Sequence, residues 1–168
     1  LEDVYTFEDA LVVGCMLITL QNNCDRVKMA CLAQLVNVIA PIMTENGGRI
    51  WKQTIYYPYL HTSLYGRGTA MDIKIDAPKY DTTNYTDVSA LDGIAVESEE
   101  KDYLTFFLLN RGTENLEVEC NLRDYPNSKV EEIIAMTCDD LKAGNDADHP
   151  DKVVPYKSNV YELKDNQL

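Results

Sequence analysis

FEDALVVGCMLITLQNN, residues 7–23, reads as one helix with almost no polar side. Phe7, Ala10, Leu11, Val12, Val13, Cys15, Met16, Leu17, Ile18 and Leu20 occupy nearly every direction around its axis. A helix apolar all round has to be enclosed by other elements, so the fold must be large enough to surround it. Thr6, followed three residues later by Asp9, has the capping-box spacing that starts a helix, and Asn22 and Asn23 suit its end.

The next apolar run, VKMACLA (27–33), is short and continuous. After a buried helix it suits a parallel strand covered on both faces. Pro41 and TENGG (44–48) mark a loop. WKQTIYYPYLHTSLYG (51–66) reads helical, with Pro58 kinking it or confining it to two short turns. Helix, strand, loop, helix is the order of an α/β protein, yet one strand makes no sheet. Its partners are expected outside these residues. Leu1 is no initiator, and SNVYELKDNQL (158–168) ends where a further strand would begin. The expectation is a piece of a longer protein.

From Arg67 the pattern changes. In TAMDIKIDA (69–77), Met71, Ile73 and Ile75 alternate with Asp72, Lys74 and Asp76. LDGIAVES, DYLTFFLLNR, NLEVECNL and KVEEIIAMT follow at short intervals, with turn signals SEEKD, RGTEN and RDYPNS between them. Period-two alternation punctuated in this way predicts an antiparallel sandwich. CDDLKAGNDADHPDKVVP (138–155) reads as a polar loop, and NVYEL (159–163) as one more strand. YGRG, near residues 65–68, marks the boundary between the two parts.

The 168 residues allow one domain or one and a half. They contain no apolar run of membrane-spanning length. With 28 acidic against 15 basic residues the formal charge is −13. That balance argues against nucleic acid and anionic membrane surfaces as partners, since both need a basic face. The five cysteines, Cys15, Cys24, Cys31, Cys120 and Cys138, are odd in number and widely spaced. They form no C-x-x-C, so neither a disulfide scaffold nor a cysteine zinc site is expected. A reducing, cytoplasmic compartment fits.

Candidate site residues are few. G-x-S-x-G, the P-loop, G-x-G-x-x-G and H-E-x-x-H are all absent. His61 lies among Tyr56, Tyr57, Tyr59 and Tyr65. Such a cluster either packs a helix on a neighbour or walls a sugar site. DADHPD (146–151) collects oxygen ligands at alternate positions, but lacks the glycine and glutamate of a complete calcium loop and reads as a solvated loop. Glu8 and Asp9 sit side by side at a helix start, where capping explains them better than acid–base chemistry. That leaves two uncharged amides, Gln34 and Asn37, in the otherwise apolar LAQLVNVIAPI (32–42). A buried amide needs partners, from local backbone or from a polar ligand. If VKMACLA is a barrel strand, Gln34 stands at its C-terminal end, where barrel enzymes gather their ligand contacts.

YTFEDALVVG, DRVKMACLAQLVNVIAPI, GGRIWKQTIYYPYLHTSLYGRG and DLKAGN followed by PDKVVP together resemble the C-terminal part of the α-L-arabinofuranosidases of glycoside hydrolase family 51. The resemblance runs in order over nearly the whole chain. It implies that residues 1–65 are the last helix, strand and helix of a (β/α)8 barrel, and that residues 66–168 are a jelly-roll β-sandwich lacking its last strand. It implies a retaining glycosidase as the parent protein, acting on arabinan- or arabinoxylan-type saccharides without metal or organic cofactor. Its two catalytic glutamates lie upstream of this chain, which is then inactive alone. Gln34 occupies the position of the family's sugar-contacting amide. Asn37 is a second candidate, whose other reading is a brace for the strand-end loop. The resemblance also implies a homo-oligomeric parent, and the chain alone is expected to self-associate. The reading from another class is a non-catalytic β-sandwich that binds carbohydrate or buttresses a neighbour. A binding module needs exposed aromatic platforms, and Trp51, the single tryptophan, falls outside the sandwich half.

Overall fold

A computed structural model describes residues 3–122, 124–163 and 168. Residues 1, 2, 123 and 164–167 lie outside the described residues. They include the start of the N-terminal segment, one position of the RDYPNS turn and the tail after NVYEL.

Helix α1 runs over Phe7–Asn22. The capping-box expectation holds, because the Thr6 backbone N–H and hydroxyl both donate to Asp9 Oδ2, at 2.7 and 2.9 Å. The Asp9 carboxylate thus takes up a backbone donor that the first helical turn would leave orphaned. Asn23 closes the other end, its side-chain amide donating to the Thr19 carbonyl at 2.8 Å. Phe7, Ala10, Leu17 and Ile18 are buried. Val12 and Met16, by contrast, are 47% and 58% exposed. The expectation of a helix enclosed on all sides is therefore corrected. One side packs on the sheet and on the second helix, and the other is bare.

VKMACLA is not a strand. Residues 27–33 pair with no neighbour among the described residues and are mostly exposed, Met29 at 82%. A parallel strand exists only through its ladder, and no strand among the described residues lies alongside this segment. The segment from Leu32 to Ile39 is likewise exposed rather than core, Leu35 at 69%.

The expected loop at TENGG is the turn of a hairpin. β1 (Ile42–Thr44) pairs antiparallel with β2 (Ile50–Lys52), Met43 opposite Trp51. Gly47 and Gly48, with φ of +105° and +106°, make that reversal possible. Trp51 and Lys52 consequently belong to a strand, and helix α2 begins only at Tyr56, running to Tyr65. Pro58 neither kinks nor splits it. It sits in the first turn, where an N–H has no intrahelical acceptor to lose.

Beyond residue 66 every strand pair is antiparallel, as expected, but the ladders are shorter than the pattern suggested. β3 (Thr69–Met71), β6 (Leu91–Glu97) and β7 (Leu104–Asn110) form one sheet with β6 in the middle. β4 (Lys79–Tyr80) pairs with β5 (Val88–Ser89), and β8 (Ile134–Ala135) with β9 (Tyr156–Lys157). NLEVECNL and NVYEL carry no named strand among the described residues. The alternation itself is real. Met71, Ile73 and Ile75 are half-buried while Asp72, Lys74 and Asp76 are exposed, and Leu116, Val118 and Cys120 alternate with Glu117, Glu119 and Asn121 in the same way. Among the described residues no closed barrel forms. The architecture is a set of small antiparallel sheets with two helices.

The best-buried chain is β6, where Ile94, Ala95 and Val96 are fully enclosed. α1 approaches the sheet so closely at Gly14 that a Cβ there would lie 2.7 Å from Leu109 Cδ1. A second apolar cluster joins Phe7 to Ala143 and Val153, with Leu11, Met136 and Cys138 against it. It ties the start of α1 to the long loop 138–155. The polar-loop reading of that segment holds for its tip, while Ala143, Asn145 and Val153 are buried anchors inside it.

Candidate functional site

The two amides singled out in LAQLVNVIAPI have different fates. Both polar atoms of Asn37 are engaged by one residue of β1. Its Nδ2 donates to Thr44 Oγ1 at 2.9 Å, and its Oδ1 accepts the Thr44 backbone N–H at 2.7 Å. The Asn37 N–H also donates to the Ile42 carbonyl at 2.8 Å. Gln34 is exposed, and among the described residues nothing bonds its side chain. It stands at φ +56°, at the end of the segment that leads away from α1.

Neighbouring elements fix this stretch by its backbone. The Asp3 N–H donates to the Val38 carbonyl at 2.8 Å, and the Tyr5 hydroxyl to the Ile39 carbonyl at 3.0 Å. From α2, the Tyr59 hydroxyl reaches the Ala30 carbonyl at 2.7 Å. Gln53 lies beneath, 1% exposed. Its Oε1 accepts the Tyr5 N–H, and its Nε2 donates to the Ala40 and Asp3 carbonyls at 2.9 and 3.1 Å. Sequence reasoning missed Gln53, Thr44 and Tyr59 as supports. A pattern search sees Gln53 only as a polar residue within QTIYYP, because the carbonyls it joins lie 13 and 50 positions away.

The aromatic group on α2 is a packing cluster. Tyr56 and Tyr57 meet edge to face with centroids 5.6 Å apart, and Lys52 Nζ lies 5.1 Å above the Tyr56 ring. His61 faces Tyr65 at 6.2 Å. Burial holds the His61 imidazole below the ordinary histidine value, and Glu132 pulls it part of the way back. Glu132 itself is paired with Lys157 at 2.6 Å. That hydrogen bond leads the causes that hold its carboxyl below the usual carboxylate range.

The DADHPD loop behaves as a turn. Asp146 Oδ1 accepts the backbone N–H of Asp148 and of His149 at 2.8 and 2.7 Å, and those bonds hold the Asp146 carboxyl below its ordinary range. Asp148 pairs with Arg49. Among the described residues no group of His, Cys, Asp and Glu is arranged to hold a metal. Asp9 caps α1, and Glu8 forms an ion pair with Lys142.

The family model described as the α-L-arabinofuranosidase C-terminal domain matches residues 1–168. The chain belongs to that family. The intracellular exo-α-(1→5)-L-arabinofuranosidase of Halalkalibacterium halodurans is 56% identical over 146 residues, covering 86% of this chain and 29% of the relative. Intracellular exo-α-(1→5)-L-arabinofuranosidase 1 of Bacillus subtilis is 48% identical over 168 residues, 100% of this chain and 33% of that protein. Among solved structures, a family 51 α-L-arabinofuranosidase from Bifidobacterium longum superposes with a TM-score of 0.90 at 35% identity, over 99% of this chain and 33% of its own. This arabinofuranosidase domain therefore spans about a third of the length of the curated relatives it matches. It brings Gln34 and Asn37 into one strained, heavily braced loop, and it leaves His61 and the DADHPD carboxylates elsewhere.

Proposed function

We propose that this chain is the C-terminal part of a retaining α-L-arabinofuranosidase that releases terminal α-L-arabinofuranosyl units from arabinan- or arabinoxylan-type saccharides. The observation that carries this reading is the family match over all 168 residues. Residues 1–65 would then close a (β/α)8 barrel whose other strands come from the rest of the protein, and residues 66–168 would be its jelly-roll sandwich. The bare side of α1 and the exposed apolar side chains of residues 27–39 support that assignment, since both are apolar surfaces in want of a neighbour. The catalytic pair, two carboxyl groups about 5–5.5 Å apart in a retaining enzyme, lies upstream. Gln34 contributes one wall of the sugar site. Its amide donates and accepts toward hydroxyls without a charge that titrates. The relatives are named intracellular, which favours the cytoplasm.

The test is an assay on an aryl α-L-arabinofuranoside, comparing this chain with the protein encoded by its full reading frame. An active full-length protein and an inactive chain are expected. An active chain would mean that the catalytic carboxylates lie within it. Inactivity of both, with arabino-oligosaccharide binding by the chain alone, would replace the proposal with a carbohydrate-binding module.

A further inference from the structure

Between Gln34 and Val38 the backbone takes a path that its own residue types oppose. Gln34, Asn37 and Val38 have φ of +56°, +62° and +60°. Asparagine enters that left-handed region readily. Glutamine seldom does, and valine hardly at all, because its branched β-carbon crowds the following carbonyl. Such conformations persist only where the surroundings over-determine them, and they gather at ligand sites.

Within this chain apolar burial does not hold the loop, for Leu35, Val36, Val38 and Ile39 are all exposed. Hydrogen bonds do. The Asn37–Thr44 clamp, the Asp3 and Tyr5 bonds to the Val38 and Ile39 carbonyls, and the Tyr59 bond to Ala30 bracket Gln34 on both sides. None of them touches its side chain. A loop that is strained, exposed and cross-braced, with one unengaged amide at its start, is built to aim that amide.

We infer that Thr44 is a positioning residue for Gln34. Its hydroxyl accepts from Asn37 Nδ2 and its N–H donates to Asn37 Oδ1, so Asn37 acts as the strut between β1 and the loop, and Tyr5 and Tyr59 steady the flanks. The role of Thr44 rests on the proposal that Gln34 contacts the arabinofuranosyl unit.

The experiment is a double-mutant cycle in the full-length enzyme, reading kcat/KM on an aryl α-L-arabinofuranoside. Thr44→Val keeps the side-chain shape and the backbone donor and removes only the hydroxyl. Gln34→Ala is expected to lower kcat/KM about tenfold and Thr44→Val about three- to tenfold. Thr44→Ser should restore it. The double variant should fall no further than Gln34→Ala alone, because a positioning residue has nothing left to position. An unchanged Gln34→Ala enzyme overturns the reading of Gln34. A reduced Gln34→Ala enzyme with a silent Thr44→Val, or with losses that multiply in the double variant, overturns the role of Thr44 and leaves Gln34 in place. If Thr44→Val fails to fold, Thr44→Ala, which also removes the hydroxyl and keeps the backbone donor, carries the same cycle. Multiplying losses there overturn the inference.

Discussion

Gln53, Asn145 and Gln21 show how one kind of group can support a fold at two positions and burden it at a third. Gln53 satisfies a backbone N–H and two carbonyls from two separate stretches of chain. Asn145 similarly joins the Lys52 and Val153 carbonyls and accepts the Val153 N–H. Gln21, near the end of α1, has both amide atoms buried without a partner among the described residues. The asymmetry of hydrogen bonding then decides two outcomes. Gln53→Ala strands buried backbone groups, and is expected to destabilise the full-length protein by about 2–3 kcal/mol. Gln21→Met keeps the unbranched shape and discards an unsatisfied amide, and is expected to be neutral or to stabilise by up to about 1 kcal/mol. Urea denaturation of the two variants checks both, and a Gln21→Met protein as damaged as Gln53→Ala would show that the Gln21 amide finds a partner after all. Sequence alone could pick out Gln34 and Asn37, because an amide in an apolar run is locally conspicuous. It could not rank Gln53 above Gln21, because satisfaction is decided by groups that are distant along the chain.

Elements were legible where their cause is local. The Thr6–Asp9 cap, the Asn22–Asn23 stop, Pro58 near a helix start and the alternation from Met71 to Asp76 all follow from neighbours within a turn or two. VKMACLA failed as a strand because strand identity is conferred by a partner, and no partner is described. The β1–β2 hairpin was hidden for the opposite reason. Its strands have only three residues each, too short for a period to show beside the loop signal of Asn46, Gly47 and Gly48. One junction between elements also carries a pH dependence. His61 and Tyr65 on α2 face Glu132, which Lys157 of β9 holds. Burial lowers the imidazole's affinity for a proton in the folded state, so the unfolded chain binds that proton more readily. The His61 contribution is therefore intact above the ordinary histidine value of about 6.5 and is lost as pH falls below it, toward the lowered folded value. The Glu132–Lys157 pair is lost only at lower pH, as the carboxyl protonates through its own depressed value. Between pH 7.5 and 5.5 the thermal midpoint of the full-length protein should fall less in His61→Gln than in the parent. Equal falls would remove His61 as the source.

At the scale of the whole molecule, two properties of the chain oppose each other. Its apolar surface is open: Val12 and Met16 on α1, Met29, Leu35, Val36, Val38 and Ile39 on the segment after it, and a groove of about 740 Å³ between α1, Tyr80 and Leu109. Apolar patches of this kind drive association. Its formal charge of −13, however, makes every copy repel every other. The repulsion acts over a Debye length, about 30 Å at 0.01 M salt and about 8 Å at 0.15 M, whereas the apolar attraction is short-ranged and scarcely screened. Salt should therefore decide the balance. Expressed by itself, the chain is expected to bind a hydrophobic-surface dye at all ionic strengths, to sediment mainly as monomer at low salt and to self-associate as salt is raised. The full-length protein, whose remaining chain would cover those faces, should bind little dye and show no such salt-driven association. Sedimentation velocity and dye fluorescence on both proteins across that range separate the outcomes. A dye-silent monomeric chain at every salt concentration would mean that the chain covers its own apolar faces. The bare helix side would then be no evidence for a missing barrel.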